Sequence, residues 1–290
     1  MVNTMNEESI GRKSTRVKDK VIVITGASDG IGAAAARLLK AQGAQVVIVG
    51  RSSQKTKKIA DLINAPYYLA DFTRLDDVRK LASELKKDFS RIDVLANNAG
   101  GVMGERTLTA DGHEMTVQVN HLAPFLLTNL LLDRLIASRA SVIATASFAH
   151  RTAGKLNLDD FESEHGYKRT KAYGKAKLMN ILFTRELHKR YHDRGISAAA
   201  FHPGTVRTSF SSEFGGSWNI IYGSFLKRFL IDPSKGADTM VWLATTDPGR
   251  DWQSGEYYHK RKVARASKQS YDSKLANDLW ELSAKMTTVK

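Results

Sequence analysis

Tyr173 and Lys177 stand four residues apart, and Leu178, Ile181, Leu182 and Leu187 continue the stretch at helical spacing. Residues at i and i+4 stack on one face of a helix, with Cβ atoms about 5–6 Å apart. An ammonium beside a phenol favours the phenolate, so this spacing predicts a Tyr173 pKa lowered from about 10 toward neutrality. A phenol tuned in that way can act as a general acid or base. Tyr-Lys pairs at this spacing are also common on ordinary helices, so the pair gains meaning only if other segments bring partners to it.

The elements that would position the pair begin with Val21, Ile22, Val23 and Ile24, a continuous β-branched run that reads as a strand buried on both faces. It breaks at Thr25-Gly26-Ala27-Ser28-Asp29-Gly30-Ile31-Gly32, and a helix is predicted from Ala33 to a close at Gly43. Residues 45–49 form the next strand. This is a βαβ unit with a glycine-rich first turn, the arrangement that sets a helix N-terminus against a pyrophosphate. Gly26, Ser28, Asp29, Gly30, Ile31 and Gly32 are therefore candidate cofactor contacts. Dinucleotide folds carry an acid about 20 residues after that loop for a ribose 2′-hydroxyl, or an arginine for a 2′-phosphate. Here Arg51 and Ser52 follow the strand, and no acid occurs until Asp61. A guanidinium binds a phosphate through paired bonds whereas a carboxylate repels it, so NADP(H) is expected over NAD(H).

The alternation continues with a short strand at 67–70 into Asp71 and Phe72, where Asp71 could accept from an adenine amino group. A helix follows through Val78, Leu81, Leu85 and Phe89, then a strand at 92–96 into Asn97, Asn98, Ala99, Gly100 and Gly101. A long helix is expected over 112–138. Pro124 within it would crowd the carbonyl four residues earlier, that of Asn120, and free this oxygen at a kink to hold a water. The strand at 140–146 ends at Ser147, with Thr145 on the same face. The strand at 196–201 runs into His202-Pro203-Gly204-Thr205. The fold class read from this order is α/β, a single doubly wound parallel sheet with helices on both faces.

Composition agrees. The chain has 290 residues, of which 42% are apolar, enough for a sizeable core, and it contains no cysteine, which excludes disulfides, thiolate catalysis and cysteine metal sites. Residues 1–17 read as a flexible N-terminal segment, with no apolar core of a signal peptide, and 18–290 as one domain. No apolar run reaches the roughly 18 residues that span a bilayer, so a soluble, cytoplasmic protein is expected. The net charge of +14 favours anionic partners, whether nucleic acid, acidic lipid or a phosphorylated cofactor. Of the basic clusters, Arg51 with Lys55, Lys57 and Lys58 flanks the presumptive 2′-phosphate position. Lys260, Arg261, Lys262 and Arg265 read as a solvated surface.

Taken together, Thr25-Gly-x-x-x-Gly-Ile-Gly32, Asn97-Asn-Ala-Gly100, Asn120, Ser147, Tyr173-x-x-x-Lys177 and Pro203-Gly204 resemble the short-chain dehydrogenase/reductase family in order and spacing. The resemblance covers residues 18–285. Val119-Asn-His-Leu122, residues 171–187 and the long gap from Ser147 to Tyr173 are most similar to the retinol-dehydrogenase-like branch. The resemblance implies a Rossmann-type fold in which Tyr173 exchanges a proton with a carbonyl or alcohol oxygen that Ser147 holds. It further implies that Lys177 lowers the Tyr173 pKa and binds the nicotinamide ribose, and that Asn120 fixes a water leading from Lys177 to solvent. Asn98, Ala99, Gly100, Pro203, Gly204, Val206 and Thr208 would complete the cofactor site. Two departures stand out. Ala146-Ser147 replaces the common Ser-Ser, leaving Thr145 as a weaker substitute for the missing hydroxyl. Asp29 occupies a position where many NADP-preferring relatives carry a base, so the NADP expectation rests on Arg51.

Residues 205–231 would form a small helical lid over the substrate, with Trp218, Ile221, Tyr222, Phe225 and Phe229 on one helical stripe. The stripe suits a bulky apolar carbonyl or alcohol substrate, ordinary helix packing, or contact with a membrane surface near Lys227 and Arg228. His188 and His192 share a helix face among cations at a helix end, where a solvated role outweighs metal binding. A homodimer or homotetramer is compatible with the family. The rival reading is a catalytically silent nucleotide sensor or nucleic-acid-binding protein. It draws only on the net charge, and an intact Asn-Ser-Tyr-Lys set speaks against it.

Overall fold

Val21, Val23, Val47 and Val49 join one core cluster, while Ile22, Ile24, Val46 and Ile48 join another on the opposite face of the same two strands. That period-2 division explains why β1 (Val21–Thr25) and β2 (Gln45–Gly50) carry unbroken apolar runs: both faces of the sheet are covered. The computed structural model describes residues 17–204 and 231–289. It contains an eight-stranded sheet in the order β3-β2-β1-β4-β5-β6-β7-β8. The remaining strands are β3 (Tyr67–Leu69), β4 (Val94–Asn97), β5 (Ser141–Thr145), β6 (Ser197–His202), β7 (Glu256–His259) and β8 (Lys262–Val263). All neighbouring strands pair in parallel except β7 and β8, which are antiparallel.

The helices are α1 (Gly30–Ala41), α2 (Ser53–Ile63), α3 (Leu75–Asp88), α4 (Ala123–Leu130), α5 (Leu132–Ala137), α6 (Arg169–Tyr191), α7 (Pro233–Thr245) and α8 (Ser273–Thr287). Residues of α1 and α7 pack on one face of the sheet, and residues of α3, α4 and α6 on the other. The chain runs outward from β1 to β2 and β3, then crosses back to β4 on the far side of β1. The carboxyl ends of β1 and β4 therefore border the switch point at which open α/β sheets bind ligands. This is the doubly wound α/β architecture expected from the sequence.

Three details differ from the sequence reading. Helix α1 starts at Gly30 rather than Ala33, because the Asp29 side chain caps it. The helix expected over 112–138 is broken into segments. Gly112 lies in a turn with φ 82°, Glu114 caps a short turn at Met115–Val117, a π-helical turn spans Gln118–Leu122, and Leu131 separates α4 from α5. Val17, assigned to the flexible segment, is buried and joins the core with Leu39 and Ala44. The basic residues Lys260, Arg261, Lys262 and Arg265 are exposed, as the solvated-surface reading expected; Lys260 and Arg261 form the turn between β7 and β8, both with left-handed φ, and Arg261 pairs with Asp238. The hairpin lacks the Asn-Gly signal that would have betrayed it in the sequence. Nearly all of the lid region, including Val206 and Thr208, lies outside the described residues. Among the described residues no helix is long and apolar enough to cross a membrane.

Candidate active site

The turns after β1 and β4 are laced together by Thr25. Its Oγ1 accepts the N–H groups of Asn98 and Ala99, both at 3.0 Å, and donates to the Ala96 carbonyl at 3.3 Å. Asn98 returns the contact, its Nδ2 donating to the carbonyls of Thr25 (2.9 Å) and Gly26 (3.2 Å). Gly26 is left-handed, with φ 65°, and a Cβ there would lie 2.8 Å from Ala99 Cα. The structure thus brings Gly26, Asn98, Ala99 and Gly100 to one crevice beside the amino end of α1, where Gly30, Ile31 and Gly32 form the first turn. A side-chain-free cradle against a helix N-terminus fits a dinucleotide pyrophosphate.

Arg51 follows β2, is exposed, and among the described residues makes no hydrogen bond or ion pair. Ser52 caps α2, accepting from Lys55 N. Asp29 also meets Lys55, whose Nζ lies 3.2 Å from Asp29 Oδ2, so the acid in the glycine turn faces a lysine rather than standing alone. Both side chains are largely solvated, and such a pair contributes little to stability. Gly50 and Leu69 are in register, which sets Arg51 and Asp71 at the ends of adjacent strands. Asp71 Oδ1 accepts from the N–H and hydroxyl of Thr73, and buried Phe72 offers its carbonyl to Gln118.

Ser147 ends the segment after β5 and caps a 3-10 turn at Phe148–Thr152, its Oγ accepting from Ala149 N at 3.2 Å. Its hydroxyl faces the Tyr173 phenol closely enough to favour the phenolate. The approach of α6 to this turn depends on Gly174, where a Cβ would lie 2.6 Å from the Ala149 carbonyl oxygen and 3.0 Å from Ala153 N. Gly174→Ala is therefore expected to push α6 away from the serine turn. Overpacking of this kind costs about 1–3 kcal/mol, and activity should fall at least about tenfold as Tyr173 and Ser147 separate. Paired melting and kinetic measurements would check this, and a variant with unchanged activity would contradict the close approach.

Lys177 is buried, its Nζ donating to the Thr145 carbonyl at 3.0 Å and lying 5.3 Å from the centre of the Tyr173 ring. Burial pushes the Lys177 pKa down to about 7. Burial also drives the Tyr173 phenol upward, against a smaller downward effect of the Ser147 hydroxyl. The structure thus reverses the lowered phenol pKa expected from the i, i+4 spacing. Desolvation of both groups outweighs attraction to an ammonium that is itself easily discharged and turned toward Thr145.

A Cβ on Gly100 would fall 2.4 Å from Asn120 Oδ1 and 3.2 Å from Lys177 Nζ, so these three residues meet at one point. Asn120 is fully buried, and its side chain bridges segments. Oδ1 accepts from Gly101 N, and Nδ2 donates to the carbonyls of Gly101 and Thr116. The kink expected near Pro124 takes the form of the π-helical turn, in which Ala123 N–H reaches back to the Gln118 carbonyl. Insertion of one residue into the helical ladder accommodates a site that lacks an N–H. Thr145, considered as a substitute hydroxyl, instead donates to Asn98 Oδ1 at 3.3 Å. Pro203 and Gly204 follow β6, with Gly204 at φ 90°.

Asn180 was not anticipated. It is buried, and its Nδ2 joins Lys177 on the Thr145 carbonyl at 3.2 Å. Its position three residues after Lys177, on the same helix face, was the available signal. His188 and His192 each have other partners, Ser254 and the Ile196 carbonyl, and among the described residues no set of three or more side chains is arranged to hold a metal.

Comparison with known proteins gives consistent results. The short chain dehydrogenase family profile matches residues 20–216. A protein of Streptomyces sp. strain C5, provisionally named a daunorubicin C-13 ketoreductase, is 40% identical over 91% of this chain and 91% of its own length. Human retinol dehydrogenase 12 is 35% identical over 96% of this chain and 90% of its own. Among solved structures, a Mycobacterium paratuberculosis protein superposes with a TM-score of 0.75 at 31% identity, covering 93% of this chain and 94% of that one. An Escherichia coli CFT073 short chain dehydrogenase solved with NADPH superposes with a TM-score of 0.64 at 26% identity, covering 84% and 98%.

Proposed function

Since this chain belongs to the short-chain dehydrogenase family, in its retinol-dehydrogenase-like branch, we propose that it is an NADP(H)-dependent carbonyl reductase or alcohol dehydrogenase acting on a bulky, largely apolar substrate. The observation that carries the reading is the convergence of Ser147, Tyr173 and Lys177, with Asn120 beside Lys177, at the same sheet end as the Gly26–Asn98 crevice. When bound, the nicotinamide supplies or accepts the hydride. The chain's own residues would do the rest. The Ser147 hydroxyl orients the substrate oxygen, and Tyr173 gives that oxygen a proton during reduction or removes one during oxidation. A phenol held upward by burial rests in its protonated form, which suits proton donation to a carbonyl. Gly26, Gly30 and Gly32 would face the pyrophosphate, Asp71 the adenine, and Lys177 the nicotinamide ribose.

Arg51 supports the choice of NADP(H), because it is an exposed guanidinium at the end of β2 with no partner among the described residues. Arg51→Glu should change the ratio of kcat/KM for NADPH over NADH by about tenfold to a hundredfold toward NADH, the worth of one or two charge-assisted hydrogen bonds. An unmoved ratio would remove Arg51 from the argument. The substrate class draws on two relatives whose names denote large, mostly apolar molecules, daunorubicin and retinol, and on Phe148, which is 41% exposed beside Ser147. The deciding experiment is oxidation of NADPH, with NADH in parallel, against a panel of apolar ketones and aldehydes. Turnover with large apolar members is expected, and no oxidation with any of them would overturn the proposal.

A further inference from the structure

Two buried histidines beyond the Ser147–Tyr173–Lys177 group hold opposite edges of one peptide unit, the one that joins Ser147 to Phe148. The Ser147 carbonyl accepts from His150 Nδ1 at 2.6 Å as well as from His150 N at 3.1 Å. A carbonyl can only accept, so Nδ1 carries the hydrogen. The His150 side chain is 1% exposed, and its Nε2 is buried without a partner among the described residues. Burial favours the neutral ring, since a charged one would strand a second N–H. The bond to Ser147 is therefore the single polar task of this side chain. On the other side, Phe148 N donates to His202 Nδ1 at 3.3 Å. His202 is also buried, held neutral with a pKa lowered to about 4 by burial and by His259 and His150, and its ring lies 4.0 Å from that of Phe148. A leucine at either position would fill a core without leaving a polar nitrogen to desolvate.

We propose that His150 is a positioning residue for the reaction. Through Nδ1–H it holds the carbonyl of the Ser147–Phe148 peptide so that the serine hydroxyl faces the Tyr173 phenol, while His202 holds the N–H of the same peptide from the opposite edge. This inference rests on the reading of Ser147 as the group that orients the substrate oxygen.

The test is a double-mutant cycle with His150→Leu, His150→Asn, Ser147→Ala and the Ser147→Ala/His150→Leu double variant. The measurements are kcat and KM for an apolar ketone with NADPH, NADPH affinity by fluorescence, and melting temperature. His150→Leu is expected to lower kcat about tenfold to a hundredfold with NADPH affinity kept within about twofold, because only alignment of the oxygen is lost. His150→Asn, whose amide nitrogen occupies the place of Nδ1, should recover to within about fivefold of wild type. Once Ser147 is alanine, the further change to leucine should cost less than about twofold. Equal losses in both serine backgrounds, or an asparagine no better than leucine, would overturn the role of His150. Should the leucine variant not fold, His150→Gln replaces it, since glutamine places its nitrogen at the Nε2 position and should fail where asparagine succeeds. Wild-type turnover with additive losses overturns the positioning role alone. Absence of turnover in the wild type overturns the functional reading with it.

Discussion

Replacement of Tyr173 by phenylalanine should lower turnover about a thousandfold while NADPH binding stays within about a fewfold of wild type. The substitution deletes one oxygen and retains the ring that lies near Lys177 and fills the cleft wall. The protonated phenol that faces Ser147 is lost as a donor. Ser147 cannot take over, because an alcohol is a far weaker acid than a phenol. Single-turnover measurements would separate the hydride step from cofactor release, and the loss should appear in that step. Retained activity would refute the proton-transfer assignment. A silent nucleotide sensor would show unchanged ligand binding and no turnover in either protein.

Lys177→Met should combine a loss of activity of at least about a hundredfold with a gain in stability that depends on pH. The lysine has an ordinary pKa of 10.5 in the unfolded chain and about 7 in the fold, lowered by burial. Between those values the unfolded chain binds more protons, so the wild type gains stability as pH rises through that window and is penalised most below it. Methionine fills the volume of the stem and removes the penalty, and Asn180 still donates to the Thr145 carbonyl. The variant should therefore be more stable than wild type at pH 6, by on the order of a few kcal/mol, and melt higher, with the advantage shrinking toward pH 10. Thermal melts of both proteins at pH 6, 8 and 10 would decide the matter. A difference in melting temperature that stays constant across this range would show that Lys177 is charged in the fold with an ordinary affinity for its proton.

Much of the molecule was legible in the amino-acid order, because its determinants are local. The unbroken β-branched runs of β1 and β2, the glycines of the first turn and the four-residue spacing of Tyr173 and Lys177 each act through neighbours within a few positions. Their order along the chain carried the doubly wound sheet and the place of the crevice at its switch point. Boundaries shifted where a cap or a turn intervened, as at Asp29 and Gly112.

What the tertiary structure decided are quantities summed over distant segments. Burial, contributed by β5, α6 and the turns around them, sets the direction of the Tyr173 and Lys177 pKa values, and it reversed the direction expected from their spacing alone. The partners of Asp29, Lys177 and Ser147 are likewise specified by how elements pack: Lys55 across two segments, the Thr145 carbonyl from another strand, and His202 at the end of the neighbouring strand β6, which braces the peptide next to Ser147. Spacing along one helix can place two groups on one face. Only the packed fold fixes how much water surrounds them and which of their competing partners prevails.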